Sequence, residues 1–208
     1  MSFLKRDASI SNEIILLSIP VIISNISRVL MGLIDMVMVG RLGPNSIAAV
    51  GMGSMIVWVL MSLGISLRTA TQTLSARRLG QKEYQDCGHA LRNGQLLAFI
   101  IGVPISIISF SYTEKIVTIF ISDPNVTELC IDYTKYCFLG VYTTLASFVF
   151  MGFYTGIEKP KIHMKVTIYS NIINIYFNIG LIYGSENIKA YFNSFDNIFI
   201  SKIWFIWA

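Results

Sequence analysis

Residues 14–39 read IILLSIPVIISNISRVLMGLIDMVMV, an apolar run that contains one arginine and one aspartate. About 20 apolar residues are enough for a helix to cross the ~30 Å hydrocarbon core of a bilayer, so the run predicts a membrane-spanning helix. The carboxylate of Asp35 would then lie where little water can solvate it. Because an ionisable side chain inside a membrane helix is costly to keep, Asp35 indicates a functional site.

The rest of the chain has the composition of a membrane protein. Of its 208 residues, 54% are hydrophobic and 13% are charged, whereas soluble domains carry about 25% charged residues. Turn-forming segments separate the first apolar run from four others. We therefore predict an all-α, multi-pass membrane protein, a bundle of about five transmembrane helices at residues 14–39, 47–73, 93–112, 128–154 and 162–183.

The basic residues outside these runs predict the orientation of the bundle. They concentrate in the N-terminal arm and in the connectors after the second and fourth runs, namely Lys5, Arg6, Arg77, Arg78, Lys82, Arg92, Lys159, Lys161 and Lys165. Since cytoplasmic connectors carry the excess of Lys and Arg, we expect a cytoplasmic N-terminus and a location in the cell (inner) membrane. The segment 75–93 is predicted to be an amphipathic helix on the cytoplasmic surface. Residues 185–208 are predicted to be an extracytoplasmic or interfacial tail that leads to a sixth helix.

The sequence shows no pattern typical of catalysis or of metal binding. Cys87, Cys130 and Cys137 lack the spacing of metal ligands, and no nucleophile lies in a context that would activate it. His89 and His163 fall at the ends of predicted spans and are expected to be solvated. We therefore predict a protein that is not an enzyme, with no resident metal or cofactor and no nucleic-acid partner.

The fifth predicted helix has a polar face. Thr167, Asn171, Asn174 and Asn178 follow one another at intervals of 4, 3 and 4 residues, which places them on one side of a helix. An asparagine that faces lipid is costly, so this side is expected to face protein or water. Two interpretations stay open: these residues line a cavity or a site, or they join helices through amide hydrogen bonds.

The first predicted helix contributes Ser24, Arg28 and Asp35 to a similar face, and its Pro20 predicts a hinge or a kink. We expect Ser24 and Arg28 to line a cavity. Arg28 would either neutralise Asp35 or extend its long side chain toward water. A desolvated carboxylate exchanges protons, or holds Na⁺ with the help of amide oxygens, and Asp35 is therefore the candidate for ion coupling.

Four segments of the sequence together resemble the multidrug and toxic compound extrusion (MATE) transporters. They are EIILLSIPVIISNISRVLMGLIDMVMVGRLGPNSIAAVG (13–51), GISLRTATQTLSARRLGQKEY (64–84), FISDPNV (120–126) and MGFYTGIEKPKIHMKVTIYSNIINIYFNIGLIYG (151–184). The resemblance implies that residues 1–184 hold about five helices of a six-helix N-terminal bundle. It also implies a secondary antiporter that exports drugs or organic, often cationic compounds in exchange for H⁺ or Na⁺, with two bundles around a central cavity.

The resemblance further implies roles for single residues. Asp35 would take part in cation coupling, and Asn174 and Asn178 match the family's paired polar positions, so these three would hold the H⁺ or Na⁺. Pro20 matches a proline that the family uses for bending. Two residues depart from the pattern: Arg28 stands where an uncharged polar residue is expected, and Asn178 lacks the negative charge that many members have there.

Three interpretations of the function follow. In the first, the chain is the N-terminal portion of a drug antiporter in the lipid bilayer, inactive without its C-terminal half or a second chain. In the second, it is a non-transporting membrane subunit or fragment. In the third, it belongs to a flippase of lipid-linked oligosaccharides in the same superfamily. A strongly charged central cavity would favour the flippase, and we expect no such charge on helices two to five.

Overall fold

The computed structural model describes residues 8–40 and 43–182, and every regular element within these ranges is an α-helix. This confirms the predicted all-α class. The helices are α1 (Ala8–Gly40), α2 (Pro44–Gly80), α3 (Tyr84–Ser111), α4 (Thr113–Phe120), α5 (Pro124–Leu139), α6 (Val141–Gly156) and α7 (Pro160–Ile182). The predicted tail at 185–208 lies outside the described residues.

The described helices provide three spans that are long and apolar enough to cross a membrane, namely α1 from Ile14 onward, α2 and α3. Helices α5 and α6 make a fourth span if they are taken together, although the chain bends by 51° between them, at Gly140. The sequence predicts one straight helix over 128–154 and five spans in total. Helix α7 covers the fifth predicted position and is not among the candidate spans found within the described residues.

The connector between α2 and α3 is shorter than predicted. No separate amphipathic helix occupies 75–93, because α2 continues to Gly80 and α3 begins at Tyr84. The intervening turn contains Lys82 with φ 62°. The guanidinium of Arg78 joins the two helix ends by ion pairs with Glu83 and Asp86. Arg, Gln and Lys favour helix as strongly as most apolar residues do, so these helices extend past the apolar part of their sequence.

Helix α4 is a short element that the sequence does not predict. Its Thr113 and Val117 side chains are buried against the bundle, whereas Ile119 and Phe120 are exposed. Helix α5 follows at once because Pro124 occupies its first turn and the Asp123 carboxylate accepts a hydrogen bond from the backbone N–H of Asn125, at 3.0 Å. Both features are typical helix starts.

Helices α2, α3, α5 and α6 form a block with α2 at its centre. Phe138, Leu145 and Val149 are fully buried inside it. Small residues let the helix axes approach closely: a Cβ atom on Gly152 of α6 would lie 2.3 Å from the carbonyl oxygen of Arg68 on α2. The block is therefore held by steric fit over much of its length.

Helices α1 and α7 form a separate pair. Helix α1 packs mainly against α7 and makes fewer contacts with α2. On its other side, Val29, Leu33 and Val37 are 65%, 59% and 72% exposed. Such a face suits the hydrocarbon of a bilayer or another apolar helix. The pair lies beside the block and leaves a space between the two.

Candidate functional site

A cavity of about 650 Å³ lies between helices α1, α2, α6 and α7. Most of its wall is apolar or aromatic, and its polar groups include two basic side chains, five hydroxyls and one amide. The lining residues are Arg28, Trp58, Met61, Thr144, Ser147, Phe148, Phe150, Met151, Tyr154, Ile162, His163, Val166, Thr167, Ser170 and Asn171. This volume is within the usual range of small-molecule sites, about 300–1,000 Å³.

Three of the four residues predicted to line a cavity do so. Arg28 of α1 and Thr167 and Asn171 of α7 all contribute to the wall. Ser24 does not: it is fully buried, and its hydroxyl donates a hydrogen bond to the carbonyl oxygen of Pro20, at 2.8 Å. The serine thus serves the backbone of α1 one turn after the proline. Whether Pro20 acts as a hinge stays a prediction.

Asn171 combines the two interpretations that the sequence leaves open. Its side-chain amide donates to the backbone carbonyl oxygen of Ser27 at 3.1 Å and to the Ser27 hydroxyl at 2.8 Å. It therefore links α7 to α1 while it also lines the cavity. Thr167 lies one turn earlier on α7, with its hydroxyl 3.4 Å from Nε2 of His163.

The basic side chains at the cavity come from three helices. Arg28 is open to the cavity, and its Nη2 lies 3.7 Å from the sulfur of Met151 on α6. Arg68 on α2 is half-buried and near enough to Arg28 for the two positive charges to repel each other. His163 of α7 lies within the field of both arginines. Throughout the described residues, neither arginine forms an ion pair with a carboxylate.

Two predictions about charge are corrected by this arrangement. His163 is half-buried in the cavity wall and not simply solvated. The predicted helices two to five do carry a charge near the cavity, because Arg68 lies within the predicted second span. The signal was available in the sequence: Arg68 directly follows the apolar stretch 47–67, inside the predicted span 47–73, and an arginine within a span is costly.

Asp35 lies two turns beyond Arg28 on α1 and does not belong to the wall of the cavity. It is half-buried and near enough to Tyr133 of α5 for its charge to act on the phenol. Of the two alternatives for Arg28, neutralisation of Asp35 by a direct ion pair is not the one that the described residues show. Asn174 is half-buried on α7, and the side chain of Asn178 lies outside the described residues.

Metal-ligating side chains do not gather elsewhere in the described part of the chain. No group of three or more His, Cys, Asp or Glu residues is close enough there to hold a metal ion. Cys87 and Cys130 are buried free thiols, and Cys137 is half-buried. Burial among apolar residues is the ordinary environment of such cysteines.

Comparisons with known proteins agree on one family. The MatE family model matches residues 20–179. The chain is 29% identical over 172 residues to a probable multidrug resistance protein NorM of Photorhabdus laumondii, covering 83% of this chain and 38% of that protein. It is 26% identical to the multidrug resistance protein MdtK of Yersinia enterocolitica, covering 86% and 39%. The chain thus spans about two fifths of the length of these curated relatives.

Solved structures give the same result for the fold. A transporter of the MOP superfamily from Pyrococcus furiosus, described as having a binding pocket of reverse polarity, superposes with a TM-score of 0.80 at 22% identity. A MATE family transporter in an outward-facing conformation also superposes with a TM-score of 0.80. Each comparison covers 94% of this chain and 41% of the other.

Proposed function

The chain belongs to the MatE family, and on that premise we propose that it forms the N-terminal part of a secondary antiporter that exports small organic compounds in exchange for H⁺ or Na⁺. Its relatives are more than twice as long, and alternating access needs two bundles that move against each other. The second bundle would be supplied by the remainder of a longer chain or by another chain. The 208 residues alone would not transport.

The observation that carries this proposal is that one helix serves both candidate sites. Helix α1 supplies Arg28 to the cavity wall and Asp35 to the candidate ion site. These residues are seven positions apart, about 10.5 Å along the helix axis. A movement of α1 would therefore alter the ligand cavity and the surroundings of the carboxylate together, as coupled exchange requires.

The remaining ion ligands would come from α7. Asn174 and Asn178 follow Asn171 on this helix, against which α1 packs. Amide oxygens suit Na⁺, and a hydrogen bond from an amide N–H would stabilise the ionised carboxylate of Asp35 when the site exchanges a proton. No cofactor is needed beyond the coupling ion.

The test is the substitution Asp35→Asn in the complete transporter assembled from this chain and its second bundle. We expect normal expression and loss of nearly all ion-driven efflux, because the neutral amide cannot exchange a cation. The matched control is Asp132→Asn, which removes an exposed carboxylate from α5 and should leave efflux unchanged. Unchanged efflux in Asp35→Asn would instead support a non-transporting membrane subunit.

The coupling ion follows from the same preparation in proteoliposomes. An inward Na⁺ gradient and an inward H⁺ gradient are imposed separately, and export of a fluorescent substrate is recorded for each. The gradient that drives export in the wild type and fails in Asp35→Asn identifies the ion. If both gradients drive export equally in wild type and variant, Asp35 is not the coupling group.

The orientation is part of the proposal. The turns at 81–83 and 157–159 lie in connectors that carry basic residues, namely Arg77, Arg78, Lys82, Arg92, Lys159, Lys161 and Lys165. These turns would lie on the cytoplasmic face of the cell membrane, with α7 as the fifth crossing. Glu83→Cys in the first turn should then react with an impermeant maleimide only when the reagent reaches the cytoplasmic side. Labelling from outside intact cells would reverse the assigned orientation.

The flippase alternative is not favoured, because the relatives named above are multidrug resistance proteins. The positive charge at the cavity indicates instead which kind of compound would be exported.

A further inference from the structure

The cavity beside α1 has an unusual balance of charge for its place in the molecule. Arg28 and His163 line it, and Arg68 is near enough to Arg28 for the two charges to repel each other. Eight carboxylates have described side chains, and none of them contributes to the wall; they are Asp35, Glu83, Asp86, Glu114, Asp123, Glu128, Asp132 and Glu158. The described wall therefore carries positive charge that no acidic side chain offsets.

Keeping these positive charges close together costs free energy. Arg28 and Arg68 lie on helices long and apolar enough to cross a membrane, where less water and fewer counterions screen their repulsion than at the surface of a soluble protein. An anion between them would relieve the repulsion. The planar guanidinium also matches carboxylate, sulfonate and phosphate groups in a way that an ammonium group does not.

The other side of the cavity suits an apolar ligand body. Trp58 of α2 and Phe148 and Phe150 of α6 supply aromatic surface, and Met61 and Ile162 add apolar surface. The hydroxyls of Thr144, Ser147 and Ser170 add a few hydrogen-bonding groups. A largely apolar pocket with few convergent polar groups is the usual form of a small-molecule site.

We propose that this cavity binds an amphipathic organic anion, with its aromatic or aliphatic body against Trp58 and Phe148 and its acidic group on Arg28, where the positive charge of nearby Arg68 adds to the attraction. This assignment rests on the proposed function, since it names the substrate class of that same site. It differs from the cationic compounds implied by the family resemblance. A cationic ligand in this cavity would meet Arg28 in the wall, with Arg68 near Arg28, and no described carboxylate.

The test measures binding of two probes that share a fluorophore and differ in charge. Dansylglycine carries a carboxylate, and dansylcadaverine carries an ammonium group. The chain contains three tryptophans, so Trp204→Phe and Trp207→Phe leave Trp58 in the cavity wall as the single donor for energy transfer to dansyl. The 208-residue chain is held in nanodiscs of phosphatidylcholine, whose headgroups carry no net charge.

We expect dansylglycine to bind at least about tenfold more tightly than dansylcadaverine, a difference of about 1.4 kcal/mol. Arg28→Gln and Arg68→Gln should each reduce this preference, whereas Arg28→Lys should keep part of it. Arg77→Gln removes an exposed arginine from the end of α2, outside the cavity, and should leave both affinities unchanged. The comparison of the two probes on the chain that keeps Arg28 and Arg68 does not depend on how the arginine variants fold.

The headgroup of an anionic lipid has the same acidic chemistry, and a second set of nanodiscs separates it from a free ligand. If phosphatidylglycerol in the discs abolishes dansylglycine binding, the anion site is real and a lipid headgroup occupies it. If the binding persists, the site takes a free organic anion.

Equal or tighter binding of dansylcadaverine would overturn the assignment of an anionic ligand, as would the absence of energy transfer from Trp58 to either probe. Neither result decides the antiport mechanism. That mechanism is tested separately by ion-driven efflux in Asp35→Asn, whichever charge the exported compound has.

Discussion

The block of α2, α3, α5 and α6 and the pair of α1 and α7 are held by different forces. In the block, glycines bring backbones into contact, and a Cβ at Gly53, Gly64, Gly94, Gly152 or Gly156 would meet a neighbour at less than 3.0 Å. In the pair, a Cβ at Gly32 would meet nothing within 4 Å, and the amide of Asn171 joins the helices. Steric fit admits one arrangement, whereas a hydrogen bond can be exchanged for another.

The difference places the candidate sites at a boundary. The cavity lies between the pair and the block, with lining residues from both. A rigid wall on α2 and α6 facing a less tightly held wall on α1 and α7 is suited to a site that opens and closes. Three predictions test whether the two regions differ as described.

The largest effect is expected from Gly152→Ala. Its Cβ would press on the carbonyl oxygen of Arg68 at 2.3 Å, and two packed helices would have to separate, so we expect a loss of about 1–3 kcal/mol in the free energy of unfolding. Helix content measured during titration with SDS provides the value. The control Gly32→Ala, on α1, should be neutral or slightly stabilising, because alanine favours helix. Equal losses in the two variants would remove the distinction between block and pair.

A smaller effect is expected from Asn171→Ala. It removes both hydrogen bonds to Ser27, and interhelical hydrogen bonds in membranes contribute about 0.6–2 kcal/mol. We expect a loss of about 1 kcal/mol in SDS titration, with increased labelling of a cysteine placed at Ser27. The control is Asn25→Ala, which removes an exposed asparagine from α1, the helix that carries Ser27. It should change neither measurement. If Asn171→Ala behaves like Asn25→Ala, the pair is held by some other contact.

The smallest effect on stability is expected from Pro20→Ala, which restores a backbone donor inside α1. We expect a change of less than about 1 kcal/mol, because the proline lies in a membrane helix that already tolerates it. Turnover in the complete transporter should nevertheless fall if bending of α1 is part of the cycle. Pro104→Ala, inside α3 of the block, is the matched control and should leave turnover unchanged. A similar fall in both variants would show that neither region is special for transport.

The sequence predicted most of the architecture because hydropathy is a strong signal. The apolar runs located α1, the middle of α2 and most of α3, and the 4-3-4 spacing located the face of α7 that lines the cavity through Thr167 and Asn171. Hydropathy cannot show where a helix ends once the chain has left the membrane. It also cannot show the 51° bend between α5 and α6, since the residues on both sides of Gly140 are apolar.

The site was harder to predict, for reasons specific to each residue. The sequence did not predict Arg68 as a site residue, because the mean hydropathy of an apolar run hardly changes with a single charge. Ser24 shares a helix face with Arg28, but its hydroxyl bonds to its own helix and not to the cavity. The packing of α7 near α1 and α6 places His163 in the wall. Of these helices, α1 is distant from α7 in sequence.

The bonds between Asn171 and Ser27 join residues 144 positions apart, and this separation has a consequence for biosynthesis. Helix α1 leaves the ribosome first, yet its main neighbour α7 is the last described helix to be made. At translation rates of about 5–20 residues per second, the interval is on the order of ten seconds. During that interval α1 lacks its main packing partner, and Arg28 and Asp35 lack part of their final surroundings.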